Sequence, residues 1–330
     1  MNIILSHITA LEYWRLVGNK GIPIPRPTST CVVQASTFTS KDRFPQALGT
    51  LLASSAISRP VHILTSHRSM HANPPMVYHH EVCVPLPRKS LYTIDGELGI
   101  VSPEMCLLQI AKSFHPVEIA GLMHEFCGYY SPSSLSGGLV NREPLTNMER
   151  LANAANRFEG MHGIRTFKRA SRFVKGPSRS PMETALALLL SLPYSLGGYS
   201  FSDLELNSKV EVQHPSIKEL EPDILFRNSG LCIEYDGRAF HEGAVAVKRD
   251  VARVNVLTLA GYDVITLDAS QVMRCDAMHA AAISIAKAMG KRLRIDDYRA
   301  FSRKRAYLRR MLLNPQGVVR GGVQSILAIR

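Results

Sequence analysis

Residues 221–241 read Glu-Pro-Asp-Ile-Leu-Phe-Arg-Asn-Ser-Gly-Leu-Cys-Ile-Glu-Tyr-Asp-Gly-Arg-Ala-Phe-His. Two short apolar runs, 224–226 and 231–233, flank Arg227-Asn228-Ser229-Gly230, a turn signal. With Asn228-Ser229 at the tip, Phe226 faces Leu231, and the same register carries Asp223 opposite Glu234. Directly opposed side chains lie about 5 Å apart on one face, and side chains two apart on a strand point the same way. Asp236 therefore joins Asp223 and Glu234, while Leu231, Ile233 and Tyr235 point to the other face. Three carboxylates at one end of a hairpin repel unless something neutralises them. A hard divalent cation, Mg2+ or Mn2+, suits an all-oxygen site of this kind. Such an ion polarises a phosphoryl oxygen and lowers the pKa of a bound water. Phosphodiesters also fit a chain of 330 residues with 39 Lys plus Arg against 27 Asp plus Glu, a formal charge of +12. The same letters have a plainer reading, in which Asp236-Gly237 is a turn and Asp223 and Glu234 are solvated.

The combination extends beyond the hairpin. Pro222-Asp223, then Ile233-Glu234-Tyr235-Asp236-Gly237 and His241, are followed by Arg249-Asp250 with Arg253, and by Gly261-Tyr262-Asp263-Val264. This run resembles the PD-(D/E)XK nuclease superfamily, in its branch related to very-short-patch-repair endonucleases. The resemblance implies a metal-dependent DNA endonuclease. Asp223 and Glu234 would be its metal ligands and Asp236 a further acidic catalytic residue. Arg249 and Arg253, on the following helix, would face DNA or solvent. In that family a glutamate on the helix before the strands often completes the metal site, and Glu183 holds that place. Ser180 and Glu183 equally form a Ser-x-x-Glu capping box, so both readings of Glu183 stand. One departure matters: the wider superfamily has Lys two residues after the Glu, where this chain has Asp236. The role of that lysine in orienting water and offsetting charge passes to His241, Lys248 or Arg249, or is unfilled. The alternative is a non-catalytic DNA-binding regulator that keeps a nuclease-like scaffold.

Outward from this region, Gly176-Pro177-Ser178 marks a boundary. The pattern predicts an α/β chain in three parts: an α+β domain over 1–175, a domain over 176–290 for which the resemblance implies a restriction-endonuclease-like mixed sheet flanked by helices, and a basic helical extension over 291–330. In the first part Ser6 caps a helix to about Val17, with Trp14 on its core face. Strands are expected at 61–65 and 82–84, a strand and turn at 91–101, helices from Ser102 and Pro116, a loop over 131–141, and helices at 146–155 and 165–174. The last of these carries Arg165, Lys168, Arg169 and Arg172, a basic face that suits a phosphate backbone or simply water. Five histidines lie between His62 and His80 without metal-ligand spacing. Leu5-Ser6-His7-x-x-Ala10-Leu11, the Val61-His62 strand and Val101-Ser102-Pro103 resemble the regulatory domains of AbiEi-type antitoxins, which implies a winged-helix-like segment and a DNA-contacting role.

In the second part a strand is expected over 204–212, a turn over 215–221, a helix over 246–260, a strand over 264–267 and one long helix over 270–289. Between Lys291 and Arg310 nine Lys or Arg stand against Asp296 and Asp297, more than half of the chain's excess charge. Periodicity there predicts a helix whose Arg303, Lys304 and Arg305 would clamp DNA beside the carboxylates. Six scattered cysteines without a Cys-x-x-Cys pair argue against a zinc ribbon and for a reducing, cytoplasmic setting. No apolar run reaches the length of a membrane span. DNA is the expected partner; a protein partner and an oligomeric state are not legible.

Overall fold

The computed structural model describes residues 3–33, 46–66, 76–133, 138–215, 217–237 and 244–313; the side chains at 47, 133 and 244–251 are outside the described set. The chain is mixed α/β and divides into two compact units, one through Val174 and one from Lys175.

The first unit contains β1 (Ile3–Leu5), α1 (His7–Leu16), β2 (Arg26–Pro27), α2 (Gln46–Ala53), β3 (Val61–Thr65), β4 (Val77–Glu81), β5 (Leu91–Thr93) and β6 (Leu98–Val101). Then follow α3 (Pro103–Ile110), α4 (Pro116–Cys127), β7 (Tyr130–Ser133), β8 (Gly138–Asn141), α5 (Met148–Arg157) and α6 (Ile164–Ser171). Six strands form one mixed sheet in the order β2-β5-β6-β1-β3-β4. The all-apolar Ile3-Ile4-Leu5 sits at its centre, parallel to β6 and antiparallel to β3. Trp14 is in the core and donates from Nε1 to the Val101 carbonyl at 3.0 Å. Ser102 caps α3 by accepting from the Met105 amide, with Pro103 in the first turn, where its missing N–H costs nothing.

A buried ion pair ties α1 to α4. Arg15 donates to both carboxylate oxygens of Glu125, at 2.9 and 2.7 Å, and Glu125 is fully buried. Arg142 adds a bond from Nη2 to the Glu125 carbonyl at 3.0 Å.

Three imidazoles from α1, β3 and β4 meet at the sheet edge. His62 Nδ1 and His80 Nε2 are 2.9 Å apart, and His7 stacks on His80 with ring centroids 3.5 Å apart. The His62 and His80 rings are nearly coplanar with centroids 5.1 Å apart, so the two nitrogens meet head-on. That is the geometry of an N–H···N bond and leaves no room for an ion between them. Burial first, then the neighbouring histidines and Lys112, push His7 down to about 2 and His80 down to about 4; burial also lowers His62 and His79. Groups with depressed basicity contribute stability above the ordinary value of 6.5, and lose it as pH falls below that value. The first unit is therefore expected to melt at lower temperature as pH drops from 7 toward 5. His7, the most enclosed ring, contributes about 1.4 kcal/mol per pH unit below 6.5, and the more open His62 and His80 less. Thermal melts of wild type and His7→Phe across that range check this: the variant's melting temperature should vary less with pH.

The second unit contains α7 (Pro181–Ser191), β9 (Glu205–Leu206), β10 (Val210–Glu211), β11 (Glu219–Leu220), β12 (Ile224–Phe226), β13 (Leu231–Asp236), α8 (Ala244–Leu259), β14 (Asp263–Asp268), α9 (Ala269–Met273), α10 (Cys275–Ala288) and α11 (Tyr298–Leu313). Its four-stranded sheet has the order β14-β13-β12-β9. β9, β12 and β13 form an antiparallel run, α8 crosses over, and β14 returns parallel to β13. Leu225 and Cys232 on one sheet face pack with Val256 and Leu257 of α8. α11 lies against α7 and the turn Tyr194–Leu196. Gly197 explains that closeness: at φ 89° an added Cβ would stand 2.5 Å from the Lys304 carbonyl.

Several boundaries differ from the sequence reading. The strand expected at 82–84 lies earlier, as β4. The loop over 131–141 includes a hairpin of β7 and β8. The strand over 204–212 is two strands in different sheets, because Asn207 takes φ 47° and turns the chain out of β9. The turn over 215–221 includes β11, paired with β10. The long helix over 270–289 breaks at Arg274, whose backbone is extended and leads into α10. Among the described residues no helix is long and apolar enough to cross a membrane.

Candidate functional site

The hairpin has the register read from its turn: Phe226 pairs with Leu231, Leu225 with Cys232 and Ile224 with Ile233. Arg227–Ser229 form a single 3-10 turn, and Gly230 closes it at φ 60°. One step further along the register, Asp223 stands across from Glu234. Asp223 Oδ2 accepts from the Tyr235 amide at 2.8 Å, which fixes its carboxylate beside β13.

Glu234 shares the sheet face of Cys232, toward α8, and there meets Arg253. Arg253 Nε donates to Glu234 Oε1 at 3.2 Å, and its Nη2 donates to the Glu221 carbonyl. Arg253 is thus held against a carboxylate of the site. Asp236 lies on the same face as Glu234, and its register partner on β14 is Asp268.

Glu183 enters from the first turn of α7 and is 7 % exposed. The capping-box reading is half met: Ser180 Oγ accepts from the Glu183 amide at 3.2 Å and donates to Glu183 Oε1 at 3.0 Å, but the Glu183 side chain takes the Arg179 amide rather than that of Ser180. As a member of the acidic set, it has a carboxyl raised above its ordinary range, by burial first and then by the charge of Asp223. The Arg179 amide and Asn207 Nδ2 donate to Glu183 Oε2, each at 2.8 Å.

Asn207 is the residue the sequence reading missed. Its amide N–H donates to the Asp223 carbonyl at 3.1 Å, and its Nδ2 bridges Glu183 and the Pro177 carbonyl. These two acceptors orient the side-chain amide, leaving Oδ1 buried with no hydrogen-bond partner. The sequence signal was faint: an Asn at the end of a short strand, one of the few residue types that tolerate positive φ.

The other expected site residues divide as follows. His241 lies outside the described residues, and the side chains of Lys248 and Arg249 on α8 are outside the described set. Arg303 and Lys304 are exposed on α11. Arg305 is a correction: it is 4 % exposed, donates from Nη1 to the Tyr199 hydroxyl at 3.2 Å and lies over the Phe301 ring at 5.3 Å. It belongs to the packing stripe Phe301, Arg305, Leu308 and Leu312, so its charge is spent inside the unit.

Among the described residues no three Asp, Glu, His or Cys side chains already stand as a metal cage. Glu234 is turned to Arg253 and Glu183 to its capping partners, so enclosing an ion needs carboxylate rotations. The donor set nonetheless fits a hard cation: carboxylates of Glu183, Asp223 and Glu234 with the unpartnered Asn207 Oδ1 nearby are all oxygen. Compared with family models, curated proteins and solved structures, the chain matches none.

Proposed function

We propose that the second unit is a restriction-endonuclease-like, metal-dependent DNA endonuclease that hydrolyses phosphodiesters at the Glu183–Asp223–Glu234 site. The observation that carries this reading is that Asn207 ties a buried helix glutamate to the hairpin end, donating from Nδ2 to Glu183 Oε2 and from its amide to the Asp223 carbonyl, with Glu234 across the register from Asp223. The order helix, three antiparallel strands, crossover helix and parallel fourth strand, with the β10–β11 pair inserted after β9, supports it.

Asp223, Glu234 and Glu183 would hold Mg2+ or Mn2+, which when bound supplies a polarised phosphoryl oxygen and a water of lowered pKa. The chain's own residues do the rest. The Tyr235 amide fixes the Asp223 carboxylate. Asn207 holds Glu183 and leaves Oδ1 as an acceptor for a water or cation at the site. Arg253 brings a positive charge to Glu234, where a scissile phosphate would otherwise meet only carboxylates. Exposed Arg303 and Lys304 on α11 provide backbone attraction.

One observation favours the second reading, a DNA-binding regulator on the same scaffold. Asp236, where the wider superfamily carries Lys, is paired in register with another acid, Asp268, so negative charge accumulates where a cation is usual. Incubating the purified chain with supercoiled, linear and single-stranded DNA, with Mg2+ or Mn2+, separates the two. Metal-dependent cutting supports the enzyme; binding with no cutting on any substrate supports the regulator.

A further inference from the structure

On the first unit we propose a docking face for the phosphate backbone of duplex DNA, formed by the α6 row Arg165, Arg169 and Arg172 with Lys112 beside its start. The face is independent of the carboxylate site and stands whether or not that site is catalytic.

α6 is two-sided. Phe167 and Ala170 are buried, and the helix packs on α4 and α5. Arg165, Arg169 and Arg172 are exposed. Spacings of four and three residues put them in one row, about 10 Å long at 1.5 Å per residue. The start of the helix is fixed by Gly163. At its φ of 89° a Cβ would stand 2.6 Å from the Leu108 carbonyl oxygen and 3.3 Å from the Lys112 amide. Only glycine allows α6 to begin pressed against the end of α3, and this brings the exposed Lys112 to the same end. His115 is close enough to Arg169 that the arginine's charge, after burial, lowers its basicity against the pull of Glu118.

The row keeps its charge unneutralised, whereas several exposed cations meet acids: Arg179 with Glu221, Arg227 with Glu205, Arg274 with Asp276, and on α6 itself Lys168 with Glu159. What sets the row apart is three unneutralised arginines aligned on one helix face. Among the described residues, no ion pair engages Arg165, Arg169, Arg172 or Lys112. The residues between the arginines, Thr166 and Ser171, are half-buried and polar. Thr166 can donate its hydroxyl to a phosphate oxygen, while Ser171 donates its own to the Lys168 carbonyl at 3.0 Å. Guanidinium forks match phosphate oxygens in pairs.

The test is the salt dependence of binding to a short random-sequence duplex in EDTA, over about 50 to 200 mM salt. The full chain is compared with Arg165→Gln/Arg169→Gln/Arg172→Gln, and with Arg227→Gln/Arg274→Gln as a control that removes acid-paired cations. The row variant should flatten the log–log slope by about 2.7, from about 0.9 per lost phosphate contact, and the control by much less. If the triple variant melts early, Arg165→Gln alone should flatten it by about 0.9, and an all-Lys row should preserve the slope. A folded row variant with the wild-type slope overturns the proposal, even if α6 proves to bind an acidic protein.

Discussion

Asp223→Asn and Glu234→Gln are each expected to slow Mg2+-dependent DNA cleavage by about 10^3-fold or more, since a bound metal contributes several kcal/mol to the transition state. Both substitutions keep shape and remove charge. At position 223 the Asn side-chain oxygen still accepts from the Tyr235 amide, a bond that the Asp carboxylate makes at 2.8 Å, so the hairpin end stays closed. At position 234 the Gln oxygen still receives the Arg253 guanidinium. Melting temperature and DNA binding in EDTA should therefore stay near wild type while turnover is lost. Glu183→Gln should likewise slow cleavage with the melting temperature near wild type, because Ser180, Arg179 and Asn207 continue to hold the side chain. Initial rates on the preferred substrate, with denaturation curves alongside, check the set. Equal rates in wild type and both variants would mean that the carboxylates serve the fold alone.

The second large effect is on stability. Glu125→Gln should destabilise the first unit by about 3–5 kcal/mol, the usual result of leaving one partner of a buried ion pair uncompensated. Arg15 is buried and commits two nitrogens to the Glu125 carboxylate, which has no access to water. The gain from the pair itself is smaller than that loss, since desolvating both charges consumes much of their attraction. The double change Arg15→Met/Glu125→Leu should therefore recover most of the stability. Urea denaturation of the wild type, single and double variants measures all three.

The hairpin was legible because its information is local. A Gly-containing turn between two apolar runs sets the pairing, and the pairing alone brings Asp223 to Glu234. The Ser180 cap was legible for the same reason, as a four-residue pattern, although the Glu183 carboxylate turns to the Arg179 amide instead of closing the reciprocal box. Its coupling to Asp223 was not readable from spacing, because it depends on how α7 meets the sheet. Asn207 was missed because its importance comes from a backbone reversal inside what reads as one continuous strand, and positive φ leaves no periodic trace. Arg305 was misjudged because a basic run does not say which of its members lie on the packing stripe. There, Tyr199 and Phe301 supply the hydrogen bond and ring face that let a guanidinium be buried. The histidines of β3 and β4 lacked metal-ligand spacing in sequence. In space two of them, His62 and His80, gather with His7 without forming a cation site among the described residues.

The central claim is that Glu183, Asp223 and Glu234 together hold a divalent cation. Calorimetric titration of Mn2+ into the wild-type chain and into Asp223→Asn tests it most directly, because binding is read without any need to guess the substrate. The account predicts saturable binding near neutral pH that Asp223→Asn abolishes. That binding should weaken as acid protonates Glu183, whose carboxyl is held above its ordinary range by burial and then by the charge of Asp223. Wild type and Asp223→Asn that bind Mn2+ alike, or a wild type that binds none, would contradict it.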